Sequence, residues 1–228
     1  LREFVNAVVR ASPAAMEKSM TDRPYIIPLT YRDPLDAFAA FAHDPVTAFL
    51  DSAAEAGGRG RYAYIAADPY RVVTASESGD PFTELEAALK PVSVRNDPRL
   101  PPFQGGAVGF FSYELGRRLE SLPPPKGGLD IPDMVWGLYD TVAAFDTSTG
   151  KAWVFAHDIA DGNPGPARPP KAARAQAMAR RIAEAPALGP VDWTALGSWT
   201  ADLSRGEYEA MVARVIDYIH AGDIFQAN

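Results

Sequence analysis

Apolar residues along this chain follow two rhythms. Short blocks of adjacent or alternating apolar positions, in YIIPLT, TAFLDS, RYAYIAADP, RVVTA, GGAVGFFSY, LYDTVAAFD and KAWVFAHD, have the length and β-branched or aromatic content of strands. The proline in YIIPLT (Tyr25 to Thr30) predicts an edge strand, because proline gives no donor to a ladder. LYDTVAAFD and KAWVFAHD flank the turn TSTG, and Gly150 closes it, which predicts a hairpin.

The second rhythm is helical. PLDAFAAFA (Pro34 to Ala42) reads as a short helix with proline in its first turn. PFTELEAALK (Pro81 to Lys90) sets Phe82, Leu85 and Leu89 on one face, and Lys171 to Ala185 carries the stripe Ala175, Met178 and Ile182 of a surface helix. Ser204 stands three residues before Glu207, the spacing of a capping box. Tyr208, Met211, Val212, Val215, Ile216 and Ile219 then supply an apolar face, and Gly222 offers a left-handed stop. Asp223 to Gln226 turns extended, and a strand there needs a neighbour to pair with.

Hairpins and short connections favour largely antiparallel sheets with helices on one face over repeated βαβ crossovers, so the predicted class is α+β. GGAVGFF is expected as a central strand whose glycines let a neighbour approach. Proline-rich stretches (DPRLPPF, LPPPKGG and GNPGPARPP) mark loops between ordered elements. The predicted organisation is a loosely held segment 1–20, a domain over 21–160, a linker with a surface helix over 161–200, and the start of a further domain at 201–228.

Composition narrows the function. With 47% hydrophobic residues in 228, the chain can bury a sizeable core. A net charge of -7, with basic residues dispersed, argues against nucleic acid, whose phosphates need a concentrated basic surface. Zero cysteines rule out disulfides and thiolate metal sites, and three scattered histidines make a poor zinc site. No run approaches the roughly 18 apolar residues of a membrane span, and no secretory leader is visible. The expectation is a soluble, cytoplasmic protein.

Three stretches invite chemistry. GGAVGF has glycines at 105, 106 and 109 but neither the dinucleotide-loop spacing nor a following lysine with serine or threonine, so strand glycines are the simpler reading over a phosphate loop. In SYELGRRLESLP, Glu114 and Glu120 are close enough to serve as acid and base, yet with Arg117 and Arg118 beside them they read more simply as ion pairs on a helix surface. In FLDSAAEAGGRGRYAYIAADP, Ser52 ends one strand and Arg61 opens the next. There a hydroxyl and a guanidinium can hold the carboxylate and amine of a small ligand, or simply flank a solvated hairpin loop.

PFQGGAVGFFSYELGRRLESLP, followed by IPDMVWGLYD and the hairpin, resembles the N-terminal region of the chorismate-utilising synthases, most of all the branch of aminodeoxychorismate synthase component I. YEAMVARVIDYIHAGDIFQAN resembles the segment by which these proteins enter their catalytic half. The likeness spans about Tyr25 to Asn228. It implies the N-terminal part of the anthranilate synthase component I-like fold, with 201–228 opening a chorismate-binding catalytic domain that is incomplete in this chain.

The implied activity is amination of chorismate to 4-amino-4-deoxychorismate, on the way to 4-aminobenzoate and folate. The implied partners are a glutamine amidotransferase supplying ammonia and a magnesium ion whose ligands, like all catalytic residues, fall outside this chain. Anthranilate synthase component I is the alternative within the family, and a non-catalytic ligand-binding or subunit-docking module the alternative of another class. The resemblance also carries a tryptophan site. In anthranilate synthases a Leu-Leu-Glu-Ser motif and a later basic residue bind tryptophan, and Phe49, Leu50, Asp51 and Ser52 with Arg61 stand at the matching positions here. Aspartate replaces the glutamate. The candidate ligand-binding residues are therefore Leu50, Ser52, Arg61 and the adjacent Tyr62.

Overall fold

The structure, a computed structural model, describes residues 23–52, 60–75, 79–90, 96–123, 131–158, 168–189 and 194–227. The expected loose segment 1–20 lies outside them. The fold is mixed α and β with antiparallel sheets. It divides into two compact units, Leu1–Leu188 and Gly189–Asn228.

The first unit holds two sheets. The larger joins β1 (Tyr25–Leu29), β2 (Ala48–Leu50), β3 (Tyr62–Ala66), β7 (Thr141–Asp146) and β8 (Lys151–Ala156) in the order β1-β8-β7-β3-β2. The smaller joins β4 (Arg71–Thr74), β5 (Gly106–Phe111) and β6 (Met134–Tyr139) in the order β4-β6-β5. Every pairing is antiparallel. β1 is an edge strand, as its Pro28 requires. The β7–β8 hairpin forms around 147–150 in the register Asp146↔Lys151.

LYDTVAAFD is not one strand. It divides at Asp140, with Leu138 and Tyr139 ending β6 in the small sheet and Thr141 beginning β7 in the large one. Asp140 is buried and carries the ionic joint that fixes this crossing. Arg168 Nε lies 3.0 Å and Arg174 Nε 3.3 Å from its carboxylate, and the Thr141 hydroxyl donates to Oδ1 at 2.9 Å. A buried carboxylate is tolerable only with such partners.

GGAVGFF is an edge strand and not the expected central one, because β6 takes β5 on one side and β4 on the other. The reason given for its glycines does hold at Gly109. A Cβ there would lie 2.1 Å from the Val135 carbonyl oxygen and 2.6 Å from Trp136 Cα.

Two helices cover one face of the large sheet, and a third packs on the small one. Helix α1 (Pro34–Phe38) begins on Asp33, whose Oδ1 accepts from Leu35 N at 2.9 Å. Helix α2 (Pro81–Leu89) is capped by Asp80 and packs Leu85 and Ala88 against Val73, Met134 and Leu138 of the small sheet. Helix α3 (Lys171–Glu184) buries Ala175, Met178 and Ile182 against Ile65, Phe145 and Val154. This helix belongs to the sheet's core, and the first unit runs on to Leu188.

The opposite face of the large sheet packs Tyr64, Val142, Ala144 and Phe155 with Tyr139, Leu100, Phe103 and Val108. Tyr139 donates its hydroxyl to the Val46 carbonyl at 2.7 Å.

The second unit is built on α4 (Arg205–Ala221), with the capping box as read: Ser204 N donates to Glu207 Oε2 at 2.8 Å and Glu207 N to Ser204 Oγ at 3.4 Å. Gly222 ends it at φ 83°, and Asp223 N reaches back to the Tyr218 carbonyl at 3.0 Å. The apolar stripe of α4 is largely exposed and no residue of the helix is buried. Asp223 to Gln226 forms no strand, and Phe225 is 91% exposed. Among the described residues no strand pairs with it, and an extended segment without a ladder has nothing to fix it as β.

Candidate functional site

The β2–β3 pairing runs in the register Ala48↔Ala66, Phe49↔Ile65 and Leu50↔Tyr64. Side chains alternate across a strand, so Leu50 and Tyr64 share the face opposite α3, and Tyr62 shares it with its partner Asp146. Leu50 ends β2 and Tyr62 begins β3, with Ser52 two residues beyond β2 and Arg61 one before β3. Residues 53–59 between them lie outside the described set. Leu50 and Ser52 are exposed and Tyr62 is half-buried.

Arg61 is engaged. Its Nε donates to Asp146 Oδ1 at 3.1 Å and Oδ2 at 3.2 Å, and its Nη2 donates to Oδ2 at 2.7 Å. The arginine side chain is 48% exposed and that of Asp146 only 5%. The guanidinium also lies over the Tyr62 ring, 4.9 Å from its centroid. Asp146 itself is fixed by the β7–β8 turn, where Ser148 donates to Oδ1 from N at 3.2 Å and from Oγ at 2.7 Å. The Arg61 fork holds the Asp146 carboxyl far below the usual carboxylate range, against the opposing effect of burial.

Tyr64 continues the aromatic floor, 6.2 Å from Tyr62 and edge-on to Phe103 at 5.5 Å. It is 8% exposed, and among the described residues its buried hydroxyl has no hydrogen-bond partner. The Phe103 backbone lies near enough to favour ionisation slightly, but without hydrogen-bond geometry, and burial dominates by pushing the hydroxyl up to about 12. Asp146 and Tyr64 were outside the sequence-predicted set. Asp146 is signalled only by an acidic residue opening the turn DTSTG; nothing local links it to Arg61, 85 positions earlier.

The other stretches resolve as structure. Tyr113–Arg118 is a 3₁₀ helix in which Arg117 pairs with Glu114, while Arg118 Nε reaches Asp133 at 2.8 Å. GGAVGF supplies strand backbone to β6 and forms no loop at a helix start. Among the described residues no three acidic or histidine side chains gather to hold a metal ion. No helix among them is long and apolar enough to cross a membrane.

Comparison with known proteins agrees with this architecture. The family model described as chorismate binding enzyme matches residues 48–228. Anthranilate synthase component 1 of Streptomyces coelicolor is 33% identical over 215 residues, covering 85% of this chain and 39% of that protein. Aminodeoxychorismate synthase component 1 of Escherichia coli is 28% identical over 225 residues, covering 90% of this chain and 46% of that protein. The chain thus spans less than half the length of these curated relatives. The crystal structure of anthranilate synthase component I from Streptococcus pneumoniae superposes with a TM-score of 0.50 at 20% identity, covering 90% of this chain and 47% of the other, a likeness of fold alone.

Proposed function

The chain belongs to the family of chorismate binding enzymes, and on that premise we propose that it is part of an aminodeoxychorismate synthase component I. The whole protein would aminate chorismate to 4-amino-4-deoxychorismate with ammonia from a glutamine amidotransferase subunit, in the supply of 4-aminobenzoate for folate. Magnesium and the catalytic side chains would come from sequence outside this chain. The observation that carries the reading is the family match across 48–228, together with the GRRLESLP segment that follows β5.

A second reading, anthranilate synthase component I, is favoured by the 33% identity to the Streptomyces coelicolor protein. The two differ in product. The whole protein, incubated with chorismate, ammonium and magnesium and followed by chromatography, is expected to give 4-amino-4-deoxychorismate. Anthranilate as the product would replace the first reading with the second.

We also assign the hairpin end of Leu50, Ser52, Arg61 and Tyr62 as an amino-acid pocket. The neighbouring rings of Tyr62 and Tyr64 and the half-exposed guanidinium support it. Tryptophan is the ligand the resemblance points to. Titration calorimetry of the whole protein with L-tryptophan tests it: saturable heat in the wild type that is lost on replacing Tyr62 by alanine is expected, and heat insensitive to that change would contradict it.

A further inference from the structure

We propose that the outer edge of β5 is a docking site for a further β-strand, supplied by the part of the same protein that this chain does not span. The inference rests on the reading of the chain as part of a longer synthase. The four sheet edges, β1 and β2 in the large sheet and β4 and β5 in the small one, are not alike. Three carry features that blunt an edge against pairing. β1 contains Pro28, β2 has only three residues, and β4 has four and begins with Arg71. β5 runs for six residues, GAVGFF, with no proline, no charge and no break in its register with β6.

The hydrogen bonds show which groups stand open. Ser112 N donates to the Asp133 carbonyl at 2.8 Å, one step beyond the Phe111↔Met134 pair. In an antiparallel ladder successive residues point their N–H and C=O to alternate sides. Gly106, Val108 and Phe110 therefore face β6, as Ser112 does, and Ala107, Gly109 and Phe111 direct theirs outward. The far side of β6 agrees in phase, since the carbonyls of Met134 and Leu138 accept from Ala75 N at 3.4 Å and Tyr70 N at 2.9 Å. Among the described residues no strand pairs with the outward groups of β5.

The side chains of the same stretch are apolar and open. Phe110 is 43% exposed, and Phe111 is 37% exposed although it packs beside Phe82 at 5.1 Å and Trp136 at 5.3 Å. A strand laid along β5 pairs three N–H and three C=O groups and covers both phenyl rings. Its residues there are uncharged, because a charge set against those rings would lose water without gaining a partner. A strand of the same polypeptide is favoured over a second copy. This chain covers only 39% and 46% of its curated relatives, and a tethered strand docks at an effective concentration that a separate copy must reach in solution.

The test is hydrogen–deuterium exchange on the whole protein, resolved to single amides. Val108 and Phe110 serve as internal controls, because their amides face β6 whatever lies outside the edge. Ala107, Gly109 and Phe111 are expected to exchange within about tenfold of those two, at every protein concentration. Slow exchange at three alternate positions together requires a ladder, since buried N–H groups without a partner are rare. Outward amides that exchange at the rate of unstructured chain, while Val108 and Phe110 stay protected, would overturn the proposal. Protection that vanishes on dilution, in step with dissociation of a dimer, would also overturn it by giving the edge to a second copy. Chorismate turnover by the same preparation reads the functional assignment separately. Turnover with an open edge defeats this inference alone, and a protected edge without turnover defeats the synthase reading alone.

Discussion

At the scale of single residues, the Arg61–Asp146 fork is the clearest case of chemistry that one stretch of sequence shows only in half. Arg61 is visible beside its glycine-rich loop, but its partner lies on another strand. Because the folded state depresses the Asp146 carboxyl below its unfolded value near 4, its contribution is present above about pH 4 and is lost as pH falls toward the folded pKa. Urea unfolding at a series of pH values should therefore show a steeper loss of stability below about pH 4 in the wild type than in Asp146→Asn; parallel acid limbs would contradict this. Tyr139→Phe removes the bond to the Val46 carbonyl and is expected to cost about 1 kcal/mol in the same assay, because a part-buried acceptor is left unpaired.

At the scale of elements, the sequence was most legible where a local rule is self-contained. The capping box of Ser204 and Glu207 and the left-handed Gly222 bound α4 as read, and the stripe Ala175, Met178 and Ile182 is the buried face of α3. Elements that depend on distant partners were not legible. The break at Asp140 lacks proline, glycine or any turn signal, and only the ion pairs with Arg168 and Arg174 reveal why the chain changes sheets there. Likewise, the alternation that suggested a strand at Asp223 to Gln226 says nothing about whether a ladder partner exists. Two substitutions probe the elements. Ser204→Ala should remove about 1 kcal/mol of helix stability, read as lost helicity in the second unit. Gly109→Ala should cost about 3 kcal/mol, because the new Cβ meets β6 backbone and not a flexible side chain; a loss under about 0.5 kcal/mol would show that the strands can part there freely.

At the scale of the molecule, the described residues form a scaffold: two antiparallel sheets joined at a buried ionic crossing, with an amino-acid pocket proposed at one hairpin end. The chain spans less than half the length of relatives named as synthases. The function proposed for it is that of part of a chorismate-aminating enzyme, with the reacting groups proposed to come from sequence outside this chain. Consumption of chorismate, measured side by side for this 228-residue chain and for the whole protein with ammonium and magnesium, tests that claim most directly. Turnover by the whole protein and none above background by the chain alone is the predicted result. Turnover by the chain alone, or none by either, would contradict it.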